Sequence, residues 1–161
     1  MSRWRSVNDR VWSRFTSALP ARWLRRLGKL NVPVYRLSRG RLMNKISGAP
    51  VLLLTTTGRR SGQLRTTPVI YMREGESFAV IGSNAGNPKT PAWAHNLTAN
   101  PDAEIQLRSA RQPVSARIVD GDERAQLWRQ MNAQYSGFDH YDALTTREIS
   151  VFLLEPRAGD A

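Results

Sequence analysis

The chain has 161 residues, of which 40% are hydrophobic, and a net charge of +11. It is long enough for one domain with a real core and too apolar for intrinsic disorder. The absence of cysteine, with only two histidines, excludes disulfides, thiolate nucleophiles and Cys-based zinc sites.

The charge is unevenly placed. Residues 1–50 hold 12 Lys+Arg against one acid, Asp9, whereas residues 51–161 hold 12 basic and 12 acidic residues. A basic arm therefore precedes a balanced body, and the balance argues against nucleic acid as a partner of that body. No apolar run approaches the roughly 18 residues of a membrane span. No uninterrupted apolar stretch follows the basic start, so a signal peptide is not expected and the chain reads as cytoplasmic.

In chain order, Trp4, Val7, Val11 and Phe15 recur at helical spacing up to Pro20, and Trp23, Leu24, Leu27 and Leu30 resume an apolar face among arginines. Two readings stay open: a helix packed on the body or a partner, or a basic segment on an anionic membrane with tryptophans at headgroup level. From residue 50 the pattern is β-rich. Strands are expected at Val51–Thr56, Arg65–Arg73 and Ser77–Gly82, the last two joined by a hairpin turn at Glu74-Gly75-Glu76. A loop of small residues runs from Ser83 to Thr90, and a short helix from Pro91 to Ala99 is closed by Asn100-Pro101. Glu104–Arg108 and Val114–Asp120 read as a second hairpin, Asp122–Gln134 as a helix and Glu148–Glu155 as a last strand. About six short antiparallel strands without βαβ alternation commonly close into a small barrel.

Three stretches carry candidate chemistry. In Thr55–Pro68, TTTGRRSGQLRTTP, a glycine-punctuated turn displays Arg59, Arg60 and Arg65. Bent backbone N–H groups and forked guanidinium donors suit a phosphate or carboxylate, although there is no Walker pattern. In Ile81–Leu97, IGSNAGNPKTPAWAHNL, small residues precede a helix start that favours an anion, and Trp93 offers an apolar wall or a core anchor. In Tyr135–Ile149, Tyr135, Phe138 and Tyr141 recur every three residues, as a helical face or an aromatic lid. A Ser83, His95 and Asp102 triad has no nucleophile elbow to support it.

Together, APVLLLTTTGRRSGQLRTTPVIYMREG, NPKTPAWAHNLTANP and REISVFLLEP strongly resemble the deazaflavin-dependent nitroreductase family of F420-dependent quinone and nitro reductases, over Tyr35 to Pro156. The resemblance implies a mainly β fold with flanking helices, a split β-barrel related to FMN-binding proteins, spanning residues 35–161 behind a basic amphipathic arm of residues 1–34. It implies coenzyme F420, a 5-deazaflavin whose oligoglutamate tail is a chain of negative charges. By that correspondence Arg59, Arg60 and Ser61 hold the tail, and Arg65, Thr66, Thr67, Pro68, Val69 and Ile70 line the cofactor. Ile81, Gly82, Ser83 and Asn84 lie beside the ring, Ala92, Trp93, Ala94, His95 and Asn96 complete the site, and Phe138 and Tyr141 cap the substrate side. Ser83 and Tyr141 are assigned to orient the acceptor. Phe138 stands where some members carry Tyr, so the resemblance does not by itself imply activation of bicyclic nitroimidazoles. The expected acceptor is a quinone or nitroaromatic, the expected state a monomer or homodimer, and the arm a candidate for an anionic membrane surface. The alternatives are FMN on the same barrel, or a non-catalytic cofactor- or membrane-binding protein.

Overall fold

The structure, a computed structural model, describes residues 31–157. The amphipathic arm expected before residue 31 lies outside them. Residues 31–37 are helical (α1). Seven strands follow: β1 (Lys45–Ile46), β2 (Ala49–Thr57), β3 (Leu64–Glu74), β4 (Ser77–Ile81), β5 (Asp102–Leu107), β6 (Ala110–Val119) and β7 (Val151–Pro156). Three helices lie between them: α2 (Ala92–Ala99) before β5, then α3 (Gly121–Gln134) and α4 (Gly137–Ala143) before β7.

The sheet runs β1-β2-β3-β4-β7-β6-β5, and β5 pairs back with β2, so six antiparallel strands close on themselves. The expected barrel is therefore the observed fold. Its inside holds Leu52, Leu54, Phe78, Val80, Ile105, Val114, Phe152 and Leu154, with Trp93 and Leu97 of α2 packed among them. The alternate residues Ala79, Ile81, Val151 and Leu153 face outward into a second cluster with Leu127 and Met131 of α3 and Phe138 of α4. Strands β4 and β7 are thus covered on both faces. That explains why FAVI and VFLL are continuous apolar runs rather than alternating ones.

Two expectations shift. The second hairpin is longer than its sequence suggests: β5 and β6 meet across a two-residue turn at Arg108-Ser109, and Pro113 sits inside β6 opposite Glu104. The polar run Ser109-Ala110-Arg111-Gln112 imitates a loop, but pairing with β5 overrides local propensity. The last strand begins at Val151 rather than at Glu148; Arg147 instead reaches the loop after β4, donating to Gly82 O, and Glu148 pairs with Arg124 of α3.

The barrel is also split. β3 pairs with β4 only through Tyr71–Glu74, while its first half, up to Ile70, pairs with β2 alone. The opposite edge of that half has no strand beside it. Pro68, which has no N–H to offer a ladder, lies on this stretch, as proline requires.

Candidate functional site

The arginine turn is built before any ligand arrives. Gly58 N–H donates to Gln63 O at 2.8 Å and Gly62 N–H to Gly58 O at 2.7 Å. Gly62 has φ +66, the left-handed region that favours glycine, and a Cβ on Gly58 would crowd Ser61 Oγ at 2.7 Å and Gln63 O at 3.1 Å, so glycine suits both positions of the bend. Asn96 of α2 locks the turn to the barrel. Its Oδ1 accepts from Arg59 N–H at 3.1 Å and its Nδ2 donates to Thr56 Oγ1 at 3.0 Å. Arg59, Arg60 and Arg65 remain exposed, and among the described residues none of them pairs with a carboxylate. With Gly58, Ser61, Thr90, Ala92, His95 and Asn96 they line a cleft of about 320 Å³. No acid lies in it or in the first turn of α2. Positive charge without a partner is what an anionic ligand would meet.

A second cleft, about 500 Å³, shares Thr90 and Ala92 with the first, so the two are neighbours. One wall is the unpaired edge of β3, from Thr67 to Ile70. The other walls are Ile81, Ser83, Asn84 and Ala85, the start of α2 with Trp93, and the aromatic trio Tyr135, Phe138 and Tyr141. Trp93 belongs both to this wall and to the barrel core, tilted against Phe152 at 5.6 Å. Phe138 sits edge-on to Tyr135 at 5.1 Å and to Tyr141 at 6.5 Å. The hydroxyls of Tyr135 and Tyr141 share one hydrogen bond of 2.7 Å, which leaves one O–H of the pair free to donate elsewhere. Burial, and then this bond, push the Tyr141 pKa well above its ordinary value. Its hydroxyl is therefore a neutral donor.

The loop between β4 and α2 is held under strain. Asn84, Ala85 and Gly86 are consecutive left-handed residues, with φ of 50°, 53° and 76°. Each non-glycine residue so placed costs on the order of 1–2 kcal/mol. Arg147 is the strut that fixes them. Its Nη2 donates to Gly82 O and Ser83 O, each at 2.9 Å, and its Nε to Asn87 O at 3.2 Å. Partial burial draws its pKa down, yet a guanidinium stays charged at any ordinary pH. Asn84 Nδ2 adds a bond to Lys89 O at 2.8 Å. A Cβ on Gly86 would meet Leu144 at 2.9 Å, so the loop and the end of α4 are fitted together.

The arginine cleft collects Arg59, Arg60, Ser61, Arg65, Ala92, His95 and Asn96. The aromatic cleft collects Thr67, Pro68, Val69, Ile70, Ile81, Ser83, Asn84, Ala92, Trp93, Phe138 and Tyr141. Three expected site residues line neither. Thr66 faces away, bonded to Thr55 Oγ1 at 2.9 Å and to Arg36 at 3.3 Å, in a third cleft with Asp102, Glu104 and Arg111. The Arg111–Glu104 pair, 3.4 Å, already occupies charge there. Gly82 turns its missing side chain toward Ser150, Ala94 and Pro91 rather than toward open space. A Cβ there would meet Ala94 Cβ at 3.6 Å and Pro91 Cγ at 3.8 Å, and Ala94 is buried. Sequence reasoning missed Arg147, Ala85 and Ile46. Nothing in TTRE marks Arg147 as a strut, because its partners are backbone carbonyls about 60 residues away. No cluster of metal-ligating side chains occurs among the described residues.

Comparison with known proteins accords with this geometry. The family model described as F420H(2)-dependent quinone reductase matches residues 27–156. An F420H(2)-dependent quinone reductase of Mycobacterium tuberculosis is 38% identical over 146 residues, covering 85% of this chain and 98% of the relative. A solved F420-H2 dependent reductase is 36% identical, with a TM-score of 0.61 over 66% of this chain and 94% of its own. A second solved structure, described as a domain-swapped dimer, is 30% identical, with a TM-score of 0.63 over 85% of this chain and all of its own. The chain belongs to the F420H(2)-dependent quinone reductase family, oxidoreductases whose cofactor is F420.

Proposed function

We propose that this protein binds F420 across both clefts, tail in one and ring in the other, and reduces a quinone held against the ring. The observation that carries this reading is the adjacency of the two clefts at their shared residues Thr90 and Ala92, one ringed by unpaired arginines and the other walled by aromatic and apolar side chains with Ser83 among them. When bound, the reduced deazaflavin supplies the hydride; the hard chemistry belongs to it.

The chain's own residues bind, orient and exclude water. Arg59, Arg60 and Arg65 take the acidic tail through charge-assisted hydrogen bonds, with the uncapped start of α2 adding its N–H groups. The edge of β3 and the strained loop hold the flat ring between two backbones. Trp93 and Phe138 exclude water from the acceptor side. The free hydroxyl of the Tyr135–Tyr141 pair, with Ser83, donates toward the acceptor oxygen, where negative charge develops. The Ser83 hydroxyl does not cap the turn after it, so it is not committed there. Nitroaromatic compounds are acceptors of the same electrophilic kind and belong to the same proposal. The basic arm, residues 1–34, brings the barrel body, residues 35–161, to an anionic membrane, and the body assembles as a monomer or homodimer in the cytoplasm.

Titration of the purified protein with F420, followed by fluorescence with FMN in parallel, tests the assignment. The expected result is micromolar or tighter binding of F420 alone. Arg59→Ala with Arg60→Ala should weaken it about tenfold to a hundredfold, and more salt should weaken it further. Preference for FMN, or affinity indifferent to both arginines, would refute the reading.

A further inference from the structure

At the end of the barrel away from the arginine turn, the connection from α1 to β2 combines two features seldom found together. Among the described residues, seven large apolar side chains are exposed, and four of them lie between positions 37 and 46: Leu37 (86%), Leu42 (60%), Met43 (45%) and Ile46 (37%). Interleaved with them are Arg39, Arg41 and Lys45, with no acid between residues 31 and 50. Arg39 and Arg41 join Arg108 of the β5–β6 turn, with Gly40, Asn44 and Ser109, around a cleft of about 500 Å³ that no carboxylate lines. Among the described residues none of these three arginines is in an ion pair.

The backbone of this connection is repeatedly left-handed and packs against the β5–β6 turn. Arg39, Gly40, Met43, Ser47 and Gly48 all have positive φ, as does Arg108. A Cβ on Gly40 would meet Arg108 Cα at 2.6 Å and the Tyr35 ring at 3.1 Å, so the loop is pressed onto the hairpin turn. The buried Tyr35 hydroxyl ties three elements, accepting from Arg108 N–H at 3.0 Å and donating to Val51 O at 3.4 Å. Strained backbone that exposes leucine and methionine gains nothing from folding alone. Exposed apolar residues ringed by unpaired cations match the boundary between the headgroups and acyl chains of an anionic bilayer. A free phosphate would need the arginines but not the leucines.

We propose that residues 37–46 form a membrane-docking surface, distinct from the N-terminal arm. Leu37, Leu42 and Met43 enter the interface, and a lipid phosphate seats among Arg39, Arg41 and Arg108. Ile46, at the end of this connection, also lines the aromatic cleft. The surface therefore sets that cleft's mouth at the bilayer, where a lipid-dissolved acceptor enters. Only this last role rests on the quinone reading.

The chain lacks cysteine, so Met43→Cys carries a polarity-sensitive fluorophore at one site. Asp122→Cys serves as the control, since it follows β6 at the end away from Arg108. Full-length protein is titrated with vesicles of phosphatidylcholine alone or mixed with phosphatidylglycerol. The expected result is a blue shift at position 43 on the anionic vesicles and none at 122. Arg39→Gln, Arg41→Gln and Arg108→Gln together should weaken vesicle binding about a hundredfold, each arginine near such a surface being worth about a factor of five. Leu42→Ser with Met43→Ser should also weaken it, with the salt dependence kept; this pair and the fluorophore carry the test if the triple variant does not fold. Wild-type binding by both variants, with no shift at 43, overturns the proposal and leaves the arm as the sole anchor. A shift that follows protein concentration without vesicles overturns it in favour of a second copy of the chain. Inorganic phosphate bound by the three arginines, with position 43 unshifted on vesicles, overturns it in favour of a free-anion site. If the wild type docks but shows no F420-linked quinone reduction in detergent, the surface stands and the quinone reading falls.

Discussion

Arg59, Arg60 and Arg65 differ from Arg147 in almost everything but chemistry. The first three stand exposed without a carboxylate, on a turn whose shape is set by glycines and Asn96. Arg147 is partly buried and spends its donors on the carbonyls of Gly82, Ser83 and Asn87. The contrast teaches that a cation held in reserve for a ligand adds little to the fold, while one bound to backbone is part of the wall. Neither role follows from residue type. Both follow from what each guanidinium meets.

Removing the strut should produce the larger loss. Arg147→Met leaves three carbonyls without their charged donor, each such bond being worth about 1.5–3 kcal/mol. We expect chemical denaturation to show a stability loss of about 3 kcal/mol, and F420 affinity to fall together with it as the left-handed loop relaxes. The turn should behave oppositely: Arg59→Ala with Arg60→Ala loses affinity at unchanged melting temperature. If both variants lost stability equally, the division between reserve and wall would not hold.

Asn96→Ala lies between these cases, because Asn96 is a bond from wall to turn. It should cost about 1–3 kcal/mol by leaving Arg59 N–H and the Thr56 hydroxyl without a partner. It should also weaken F420 binding several-fold, although no charge is removed. Tyr141→Phe should act on the acceptor alone, lowering kcat/KM for quinones about tenfold with F420 affinity unchanged. It has a further signature in alkali. The folded Tyr141 pKa is raised by burial, so its contribution to stability is complete below the unfolded value of about 10 and is lost as pH rises through the higher folded value. The phenylalanine variant should therefore lose stability less steeply above pH 10. An identical alkaline slope would show that the hydroxyl is not sheltered.

Much of this was legible in the sequence for local reasons. FAVI and VFLL read as strands because continuous apolar runs suit a strand covered on both faces, and GRRSG reads as a turn because glycine tolerates the left-handed backbone that Gly62 adopts. The resemblance brought the two clefts' residues together in advance. What it left unseen was non-local. Thr66 and Thr67 are neighbours in sequence, yet they serve opposite sides of the barrel wall. Arg147 acts through backbone that no pattern of side chains can reveal. The β5–β6 hairpin was shortened in the reading because Pro113 and its polar neighbours imitate a loop, and only the partner strand shows otherwise.

The split in the barrel has one more consequence, for solubility. An unpaired strand edge is a template on which another chain can add itself. Along the first half of β3 that edge is a wall of the aromatic cleft, and Pro68 interrupts its row of donors. Proline at this point spoils the edge for a foreign strand while leaving Thr67 and Val69 to line the cleft. The open edge of the cleft is thereby guarded against strand addition, and a valine at position 68 would keep the cleft but remove that protection.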